Sequence, residues 1–339
     1  MDEVIEIATD ADDIRARCDR GVELAAREQR VRQSPDAVLV ALRRGSLVAR
    51  CSCWWRRTPA LDGHPVGMIG HYAAADRAAA GAVLERACAL LAARQRHQAV
   101  GPIDGSTWRQ YRFSGDGHRA APFFLEPTNP RDWPDDWAAA GFSPLATYAS
   151  AMTNGLTADD VRTTEAADVL RKAGVIVRPF DMSRAEAELH AIFQLLVASF
   201  NRNFLYAPIA EEEFLHDSRA LLPFVRPDLT LLAERDGQLV GFLMALPDVL
   251  QAKRGHLVDT VIVKTVAVAP MLSGCGVGGA LVTLAHARAR HLGFRRAIHA
   301  LMHDENVSRR ISCRSAGVFR RYALLARTTN AAPCRGGVQ

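Results

Sequence analysis

Several features that define common protein classes are missing from this 339-residue sequence. No apolar run approaches the roughly 20 residues that a membrane-spanning helix needs, since even 257–268 is interrupted by Asp259 and Lys264. The first residues are acidic, whereas a secretory signal starts with positive charge and a long apolar stretch. We therefore expect a cytoplasmic protein with no membrane partner.

Cysteine is scarce and follows no pattern. The seven cysteines are an odd number scattered along the chain, which does not make a disulfide framework. Cys51 and Cys53 precede His64 and His71 but match no zinc-knuckle spacing, and no pair of Cys-x-x-Cys motifs occurs. The sequence therefore predicts no bound metal.

Blocks of like charge are absent as well. The net charge is +5 and the pI is about 9.0, values that also occur in nucleic-acid-binding proteins. However, only three of the 42 basic residues are lysines, and the arginines are spread among acidic residues without forming a patch. The pattern favours a solvated surface over a nucleic-acid interface.

What is present is an ordinary globular composition, with 49% hydrophobic and 23% charged residues. The carboxy-terminal half has the clearer order of elements. Apolar periodicity predicts a helix over 183–200. Strands at 229–234 and 239–246 flank the turn dipeptide Asp236-Gly237, which predicts a hairpin. A strand at 257–268, a helix at 278–291 and a strand at 296–302 follow.

The amino-terminal half repeats this order less clearly. It suggests a helix near 11–28, strands at 37–42, 47–54 and 66–72, a helix at 77–94 and a further strand through 122–126. Since the length exceeds that of a usual single domain, we predict a mixed α/β fold with two tandem domains. The domains are residues 1–150 and residues 175–330, and a linker at 151–174 joins them. Each domain has a mixed central sheet flanked by helices.

One segment carries a chemical motif. Residues 265–281 read TVAVAPMLSGCGVGGAL, a strand that ends at Pro270, a glycine-rich loop and a helix start. Glycines let the backbone approach a ligand, and exposed N–H groups at a helix start bind a pyrophosphate well. A Rossmann fold would place such a loop after its first strand with an acidic residue about 20 positions on. No Gly-Lys-Ser/Thr of a Walker loop follows.

At these residues the chain resembles the GNAT superfamily of acyl-CoA N-acyltransferases. Val266, Val268 and Pro270 match that family's strand end, and Gly276 and Gly278 match its loop, although Ser273 stands where Gln or Arg is usual. Two further signatures lie in the expected order: the run 239–243 before the cofactor strand, and an Asn306-to-Gly317 spacing in the last helix. The resemblance covers about residues 175–327.

The resemblance implies acetyl-CoA, or another acyl-CoA, as the cofactor. In that fold pantetheine inserts between two splayed strands, the pyrophosphate lies on the glycine loop and the last helix contacts the pantetheine arm. The residues that the resemblance assigns to cofactor binding are Val266, Ala267, Val268, Ser273, Gly274, Cys275, Gly276, Val277, Gly278, Gly279, Asn306, Ser308 and Arg309.

The catalytic groups depart from the family pattern. The family often has a tyrosine seven positions after the asparagine, as the acid that protonates the thiolate, and here that position is Cys313. Asp259 is the carboxylate nearest to the place of the usual base. Tyr322 is a further candidate for the proton donor, with packing in the sheet as the alternative. A thiol with a pKa near 8.5 can donate a proton, but Cys313 equally suits a small packed side chain.

The amino-terminal half resembles the same superfamily more faintly. Its segment Ala73–Ala80 lacks the glycine pattern, so we expect no cofactor loop there. Several residues of this half are candidates for a substrate wall or, alternatively, for plain packing: Trp108, Tyr111, Glu126, Asn129 and Trp133.

The sequence leaves three functions open. The first is transfer of an acetyl or related acyl group to the amine of a small molecule, by direct attack in a ternary complex. The second is a Fem-type transferase that uses aminoacyl-tRNA, whose relatives generally do without the glycine cradle. The third is a non-catalytic acyl-CoA sensor. The acceptor and the oligomeric state are not encoded in any motif.

Overall fold

The structure is a computed structural model that describes residues 6–8, 17–18, 22–23, 25–115, 120–153, 155–156, 160–305 and 316–329. The strands are β1 (Glu6–Ala8), β2 (Arg17–Cys18), β3 (Ala37–Arg43), β4 (Ser46–Trp54), β5 (Ala60–Leu61), β6 (His64–Pro65), β7 (Gly67–Ala74), β8 (Gln98–Gly101), β9 (Phe113–Ser114), β10 (Ser143–Thr153), β11 (Ile176–Pro179), β12 (Thr230–Arg235), β13 (Gln238–Pro247), β14 (Thr260–Val268), β15 (Arg296–His303) and β16 (Ala316–Thr328). The α-helices are α1 (Arg27–Gln33), α2 (Arg77–Ala93), α3 (Trp133–Ala139), α4 (Asp160–Lys172), α5 (Ala185–Phe200), α6 (Glu211–Leu221), α7 (Leu250–Lys253) and α8 (Val277–His291).

The two halves share a local topology. In the amino-terminal half β3, β4 and β7 are antiparallel neighbours, and α2 carries the chain from β7 to the parallel strand β8. In the carboxy-terminal half β12, β13 and β14 are antiparallel neighbours, and α8 carries the chain from β14 to the parallel strand β15. The architecture is therefore a duplication, and the predicted mixed α/β fold is confirmed.

The two sheets join into one by exchanging strands. The order of the central sheet is β1-β3-β4-β7-β8-β16-β10-β15-β14-β13-β12-β11. β16, at the end of the chain, lies against β8 of the first half, whereas β10 lies against β15 of the second half. β10 and β16 pair with each other along most of their lengths. Each half therefore needs a strand from the other to complete its sheet.

Apolar side chains fill both faces of this sheet. The helix α2 buries Ala80, Val83, Leu84, Ala87 and Leu91, a spacing that keeps one helical face on the sheet. One cluster belongs to the carboxy-terminal half, one to the amino-terminal half, and a third between them includes Met68, Tyr148 and Tyr322. Among the described residues no helix combines the length and hydropathy that a bilayer span requires.

The predicted hairpin, cofactor strand and following helix are present with small shifts at their ends. Asp236 and Gly237 both have positive φ, 53° and 75°, as a tight two-residue hairpin turn requires. The predicted linker region contains the end of β10 and the helix α4. The division of the chain into two domains at 151–174 remains a proposal.

Two predicted elements are wrong. Residues 122–126 form a turn in place of a strand, because side chains take their backbone N–H groups: Glu126 accepts from Phe123 N at 3.1 Å and Asp248 accepts from Phe124 N at 2.9 Å. Within the predicted helix at 11–28, Arg17 and Cys18 pair with β4 as a short parallel strand. A partner distant in sequence overrides the local pattern there.

Candidate functional site

The parallel strands β14 and β15 separate along their length. They pair at four positions, from Thr260–Val263 on β14 to Arg296–His299 on β15. Beyond these positions β15 bends: Leu301 has a φ of +60°, and the β10–β15 register shifts between Ala149 and Ala151. Residues 264–268 of β14 and 300–303 of β15 then line opposite walls of a wedge.

A β-bulge lies where the wedge opens. On the neighbouring strand β13, Met244 is opposite Thr265 and Ala245 is opposite Val263, which leaves Lys264 without a partner position. Bulges redirect side chains and often occur beside active sites. The Lys264 side chain is half-buried and lines the wedge, and its Nζ lies 3.4 Å from the carbonyl oxygen of Leu125.

The glycine-rich loop ends at the start of α8. Gly274 and Gly276 have φ of 82° and 80°, a left-handed conformation that favours glycine. Gly276 is the N-cap of α8 and makes no side-chain capping bond. The first N–H groups of a helix have no acceptor within the helix and carry partial positive charge. This helix start therefore offers a site for an anion.

A single cleft joins the loop, the wedge and the amino-terminal half. It has a volume of about 1960 Å³, and its walls include 264–268, the loop from Ser273 onwards and the start of α8. The amino-terminal half contributes residues 107–112 and 125–128. Ordinary small-molecule clefts measure about 300–1,000 Å³, so this one has room for a cofactor and a second substrate.

The structure brings most of the predicted cofactor residues together. Those that line the cleft are Val266, Ala267, Val268, Ser273, Gly274, Gly276, Val277, Gly278 and Gly279. Cys275 belongs to the same loop, but its free thiol is exposed and does not line the cleft. Asn306, Ser308, Arg309 and Cys313 lie outside the described residues, so their assignments stay predictions.

Asp259 lies at the closed end of the wedge and does not line the cleft. Its carboxylate binds Arg296 at 2.8 Å, Gln251 at 2.9 Å and the Thr260 hydroxyl at 2.8 Å. Desolvation acts to raise the pKa of Asp259, but these hydrogen bonds outweigh it and lower the pKa to about 2. The geometry therefore assigns Asp259 to fastening β14 to β15 and argues against its predicted role as a base.

Tyr322 is fully buried between the halves and does not line the cleft. Its hydroxyl donates to Glu126 Oε1 at 2.5 Å and lies 3.0 Å from the Ser150 hydroxyl. Burial, followed by the charge of Glu126, raises the pKa of the phenol. The phenol proton is thus held by Glu126, and the geometry argues against Tyr322 as the proton donor for a thiolate.

Two histidines meet where α8 covers β15. His286 Nε2 and His299 Nε2 are 3.0 Å apart, and both residues line the cleft. Burial lowers the pKa of His286 to about 4 and that of His299 to about 3. Both rings are therefore neutral at pH 7. Among the described residues, no group of three or more His, Cys, Asp or Glu side chains is arranged to hold a metal ion.

Reasoning from sequence missed the basic residues of the cleft. Lys264 was visible as an interruption of the apolar run at 257–268, but its place in a bulge depends on the pairing with β13. Arg112 and His303 carried no sequence signal, because they come from separate parts of the chain and meet in the fold. Of the predicted substrate wall, Trp108, Tyr111 and Glu126 line the cleft.

Residues 189–311 match the sequence model of the acetyltransferase (GNAT) family. This region of the chain is therefore similar to a GNAT domain. That family uses acyl-CoA and acts on amines. The match begins within α5 and includes β14, the glycine-rich loop, α8 and β15.

Comparisons with known proteins agree with this fold. A bacterial ceramide synthase from Caulobacter vibrioides is 29% identical over 198 residues, which are 57% of this chain and 49% of that protein. The chain thus spans about half the length of this relative.

Two solved structures resemble nearly the whole chain. A probable N-acyltransferase from Enterococcus faecalis has a TM-score of 0.55 at 10% identity, over 97% of this chain and 73% of that one. The glucosamine N-acetyltransferase region of a fungal multi-domain β-N-acetylglucosaminidase has a TM-score of 0.54 at 13% identity, over 96% of this chain and 38% of that one. At these identities the likeness concerns the fold.

Proposed function

We propose that this chain transfers an acyl group from acyl-CoA to the amine of a small molecule by direct attack in a ternary complex. The observation that carries the proposal is the continuity of two features, an uncapped helix start beside Gly276 and the open wedge between β14 and β15. Both border the same cleft. An anion and an extended arm can therefore be bound side by side.

Acyl-CoA fits this arrangement with its pyrophosphate at the start of α8 and its pantetheine arm in the wedge. The pyrophosphate would lie on the N–H groups of 274–279, where the start of α8 favours negative charge. A Cβ added to Gly278 would lie 3.5 Å from Val268 and 3.7 Å from Val266, so the helix start and the strand are in close contact. The pantetheine arm would follow β14 into the wedge, where no described strand pairs with residues 264–268 on the β15 side.

The chemistry needs a positioned amine and a path for two protons. The neutral amine attacks the thioester carbon, a C–N bond forms and the C–S bond breaks. The nitrogen releases a proton to solvent, and the thiolate takes one up. Holding the two reactants together supplies a large part of the rate. Cys313 remains the proposed donor of the thiolate's proton, with solvent as the alternative. Asp259 and Tyr322 are held by other side chains, and we expect neither to be essential.

A longer acyl group is the second candidate. The relative from Caulobacter vibrioides is described as a ceramide synthase, and a ceramide is an amide of a fatty acid. The cleft supports a chain of that kind, because aromatic side chains form one of its walls. These are Trp108, Tyr111, Tyr148, Phe200, Phe204 and Tyr206. A Fem-type transferase is less well supported, since the glycine cradle is present.

The test is an acyl-transfer assay. Acetyl-CoA, octanoyl-CoA and palmitoyl-CoA are offered with a panel of primary amines, and free thiol and amide product are measured. Gly279→Glu places a carboxylate where the pyrophosphate would lie, and no atom lies within 4 Å of the new Cβ. Because like charges in contact cost several kcal/mol, we expect at least about a hundred-fold loss of kcat/KM.

The matched control is Gly81→Glu, in the first turns of α2, where a Cβ also meets open space. It should keep its activity within about two-fold, the range expected of a surface change. Equal activity in both variants would place the donor elsewhere. No turnover of any donor, with CoA binding intact, would favour the sensor.

A further inference from the structure

The cleft contains a buried arginine in an unusual setting. Arg112 is 7% exposed, and its guanidinium lies over two nearly perpendicular rings, 3.9 Å from the centre of Tyr111 and 4.2 Å from that of Tyr148. Its Nη1 donates to the carbonyl oxygen of Leu301 at 3.2 Å. The Nε atom is buried with no hydrogen-bond partner among the described residues. The guanidinium is therefore held in place by the rings and by Leu301, while its Nε–H donates no hydrogen bond to the described residues.

A second cation lies beside it. Lys264 lines the same cleft and is close enough to Arg112 for the two charges to interact. Burial, and then Arg112, lower the pKa of Lys264 to about 8. Within the described residues neither Arg112 nor Lys264 has a carboxylate within salt-bridge distance, whereas Arg109 of the same cleft pairs with Glu213 at 2.6 Å. Buried charge without a counter-ion is costly.

The nearest acid does not neutralise this pair. Glu126 raises the pKa of Lys264 somewhat, so it is in the neighbourhood. However, its carboxylate already accepts from Tyr322 at 2.5 Å and pairs with Arg320 at 2.9 Å. A further donor, His303 Nε2, is buried without a partner among the described residues, and its ring packs on Tyr148. Asp304 and Glu305 act to raise the pKa of His303, against the effect of burial. Neither is within salt-bridge distance of Arg112 or Lys264, so these two cations have no direct counter-ion among the described residues.

The phosphates of the donor are not the missing anion. Lys264 is four residues before Val268 on an extended strand, which separates them by about 13 Å at roughly 3.3 Å per residue. The start of α8 lies beyond Val268. Arg112 and its stacking partner Tyr111 belong to the amino-terminal half, on the wall that faces the wedge.

We propose that Arg112 and Lys264 form a subsite for an anionic group, a carboxylate or a phosphate, that the acceptor amine carries. The inference rests on the proposed acyl transfer and narrows its acceptor to amines with a negative substituent. The stacked guanidinium is suited to this task, because its fork binds such groups in a fixed orientation.

The experiment measures binding to the complex of the protein with CoA, in which no transfer occurs. Two ligand pairs differ in one anionic group: L-phenylalanine with 2-phenylethylamine, and O-phosphoethanolamine with ethanolamine. We expect one anionic member to bind about ten- to hundred-fold more tightly than its neutral partner, as hydrogen bonds to charged groups allow. The pair that shows the difference identifies carboxylate or phosphate.

Variants assign the effect to these residues. Arg112→Met should remove the preference and leave the affinity for CoA unchanged, and Lys264→Met should reduce it by a smaller factor. Arg96→Met is the control, since Arg96 also donates to a backbone carbonyl, that of Trp55, but outside the cleft. If Arg112→Met does not fold, Lys264→Met alone decides the outcome.

Three results would overturn the subsite. These are equal or undetectable binding of both members of each pair at millimolar concentration, a preference that survives both variants, and a preference for succinyl-CoA over butyryl-CoA that Arg112→Met removes. The last would put the anion on the donor. Failure of CoA itself to bind would instead refute the proposed function, so the two ideas fail separately.

Discussion

The starts of α2 and α8 occupy corresponding places in the two halves, yet they are in opposite states. The N-cap of α2 is Asp76, whose carboxylate accepts from Ala79 N at 2.9 Å and pairs with Arg43 at 2.7 Å. The N-cap of α8 is Gly276, which has no side chain to offer. In the first half the protein supplies its own anion, and in the second half no side chain takes the corresponding place.

The gap between β7 and β8 differs in the same way from the wedge between β14 and β15. β7 and β8 pair only at Gly67–Met68, so they also separate. There, however, Ile103 N donates to Ile69 O at 2.8 Å and His71 N donates to the Asp104 carboxylate at 2.6 Å. A Cβ on Gly70 would lie 2.3 Å from the Ile103 carbonyl oxygen. Topology alone thus does not make a cofactor site. The decisive difference is whether the backbone N–H groups are already used.

The largest expected effect concerns the contact between the halves. Arg109 and Glu213 form a bidentate ion pair at 2.6 and 2.8 Å, and their side chains are 10% and 4% exposed. Glu213→Gln leaves the buried Arg109 without its charge partner, which should cost about 3–5 kcal/mol of the free energy of unfolding. Chemical denaturation measures it, and a single transition is expected because the halves exchange strands.

The control for this change is Glu186→Gln, which breaks the exposed pair with Arg219 and should cost much less stability than Glu213→Gln, because solvent screens exposed charges. Two separate unfolding transitions, or equal effects of the two variants, would show that the halves are independent and that the comparison describes two unconnected domains.

A smaller effect on stability is expected at the closed end of the wedge between β14 and β15. Asp259→Asn should lower the free energy of unfolding by about 2 kcal/mol at pH 7, as the depressed pKa implies. The folded-state pKa lies below the unfolded value, so this stabilisation is present above about pH 4 and is lost as the pH falls through about 2. The stability difference should therefore shrink between pH 4 and pH 2.

Activity distinguishes the two roles of Asp259. If it only fastens the strands, the variant keeps the acidic limb of its pH–rate profile and loses a few-fold in kcat. A loss of about 10²- to 10⁴-fold at unchanged stability, the size of a general-base contribution, would restore it as the base.

The smallest effect sharpens the comparison of the helix starts. Asp76→Ala removes the cap of α2, which should cost about 1 kcal/mol of stability. It should not create a second cofactor site, because Asp104 still occupies the wedge beside it. Calorimetric titration with CoA should give one site per chain before and after the change. Two sites in the variant would mean that the cap alone excludes the cofactor.

Local patterns were enough to predict the elements that form the proposed cofactor site. The alternation of β14, the glycines of the loop and the hairpin at Asp236-Gly237 are signals within a few residues, and the structure has each element in place. The glycines at 274 and 276 mark the proposed anion site, because their conformation and the missing side-chain cap follow from residue type.

Side-chain roles that depend on distant partners were not predictable in this way. Asp259 meets Arg296 across 37 positions, and Tyr322 meets Glu126 across 196. The exchange of β10 and β16 is likewise a choice between competing partners that no local pattern records. The roles of catalytic candidates chosen by their distance along the chain from a motif therefore could not be predicted reliably. The secondary structure of the motif could be, because it depends on neighbouring residues.

The central claim is that one half alone binds the donor, and a crystal structure of the CoA complex tests it most directly. We predict one CoA per chain, with its pyrophosphate within hydrogen-bonding distance of N–H groups of 274–279 and its pantetheine arm between β14 and β15. The start of α2 should keep its Asp76 cap and bind nothing. A CoA molecule at the start of α2, or one that leaves the wedge between β14 and β15 empty, would contradict the account.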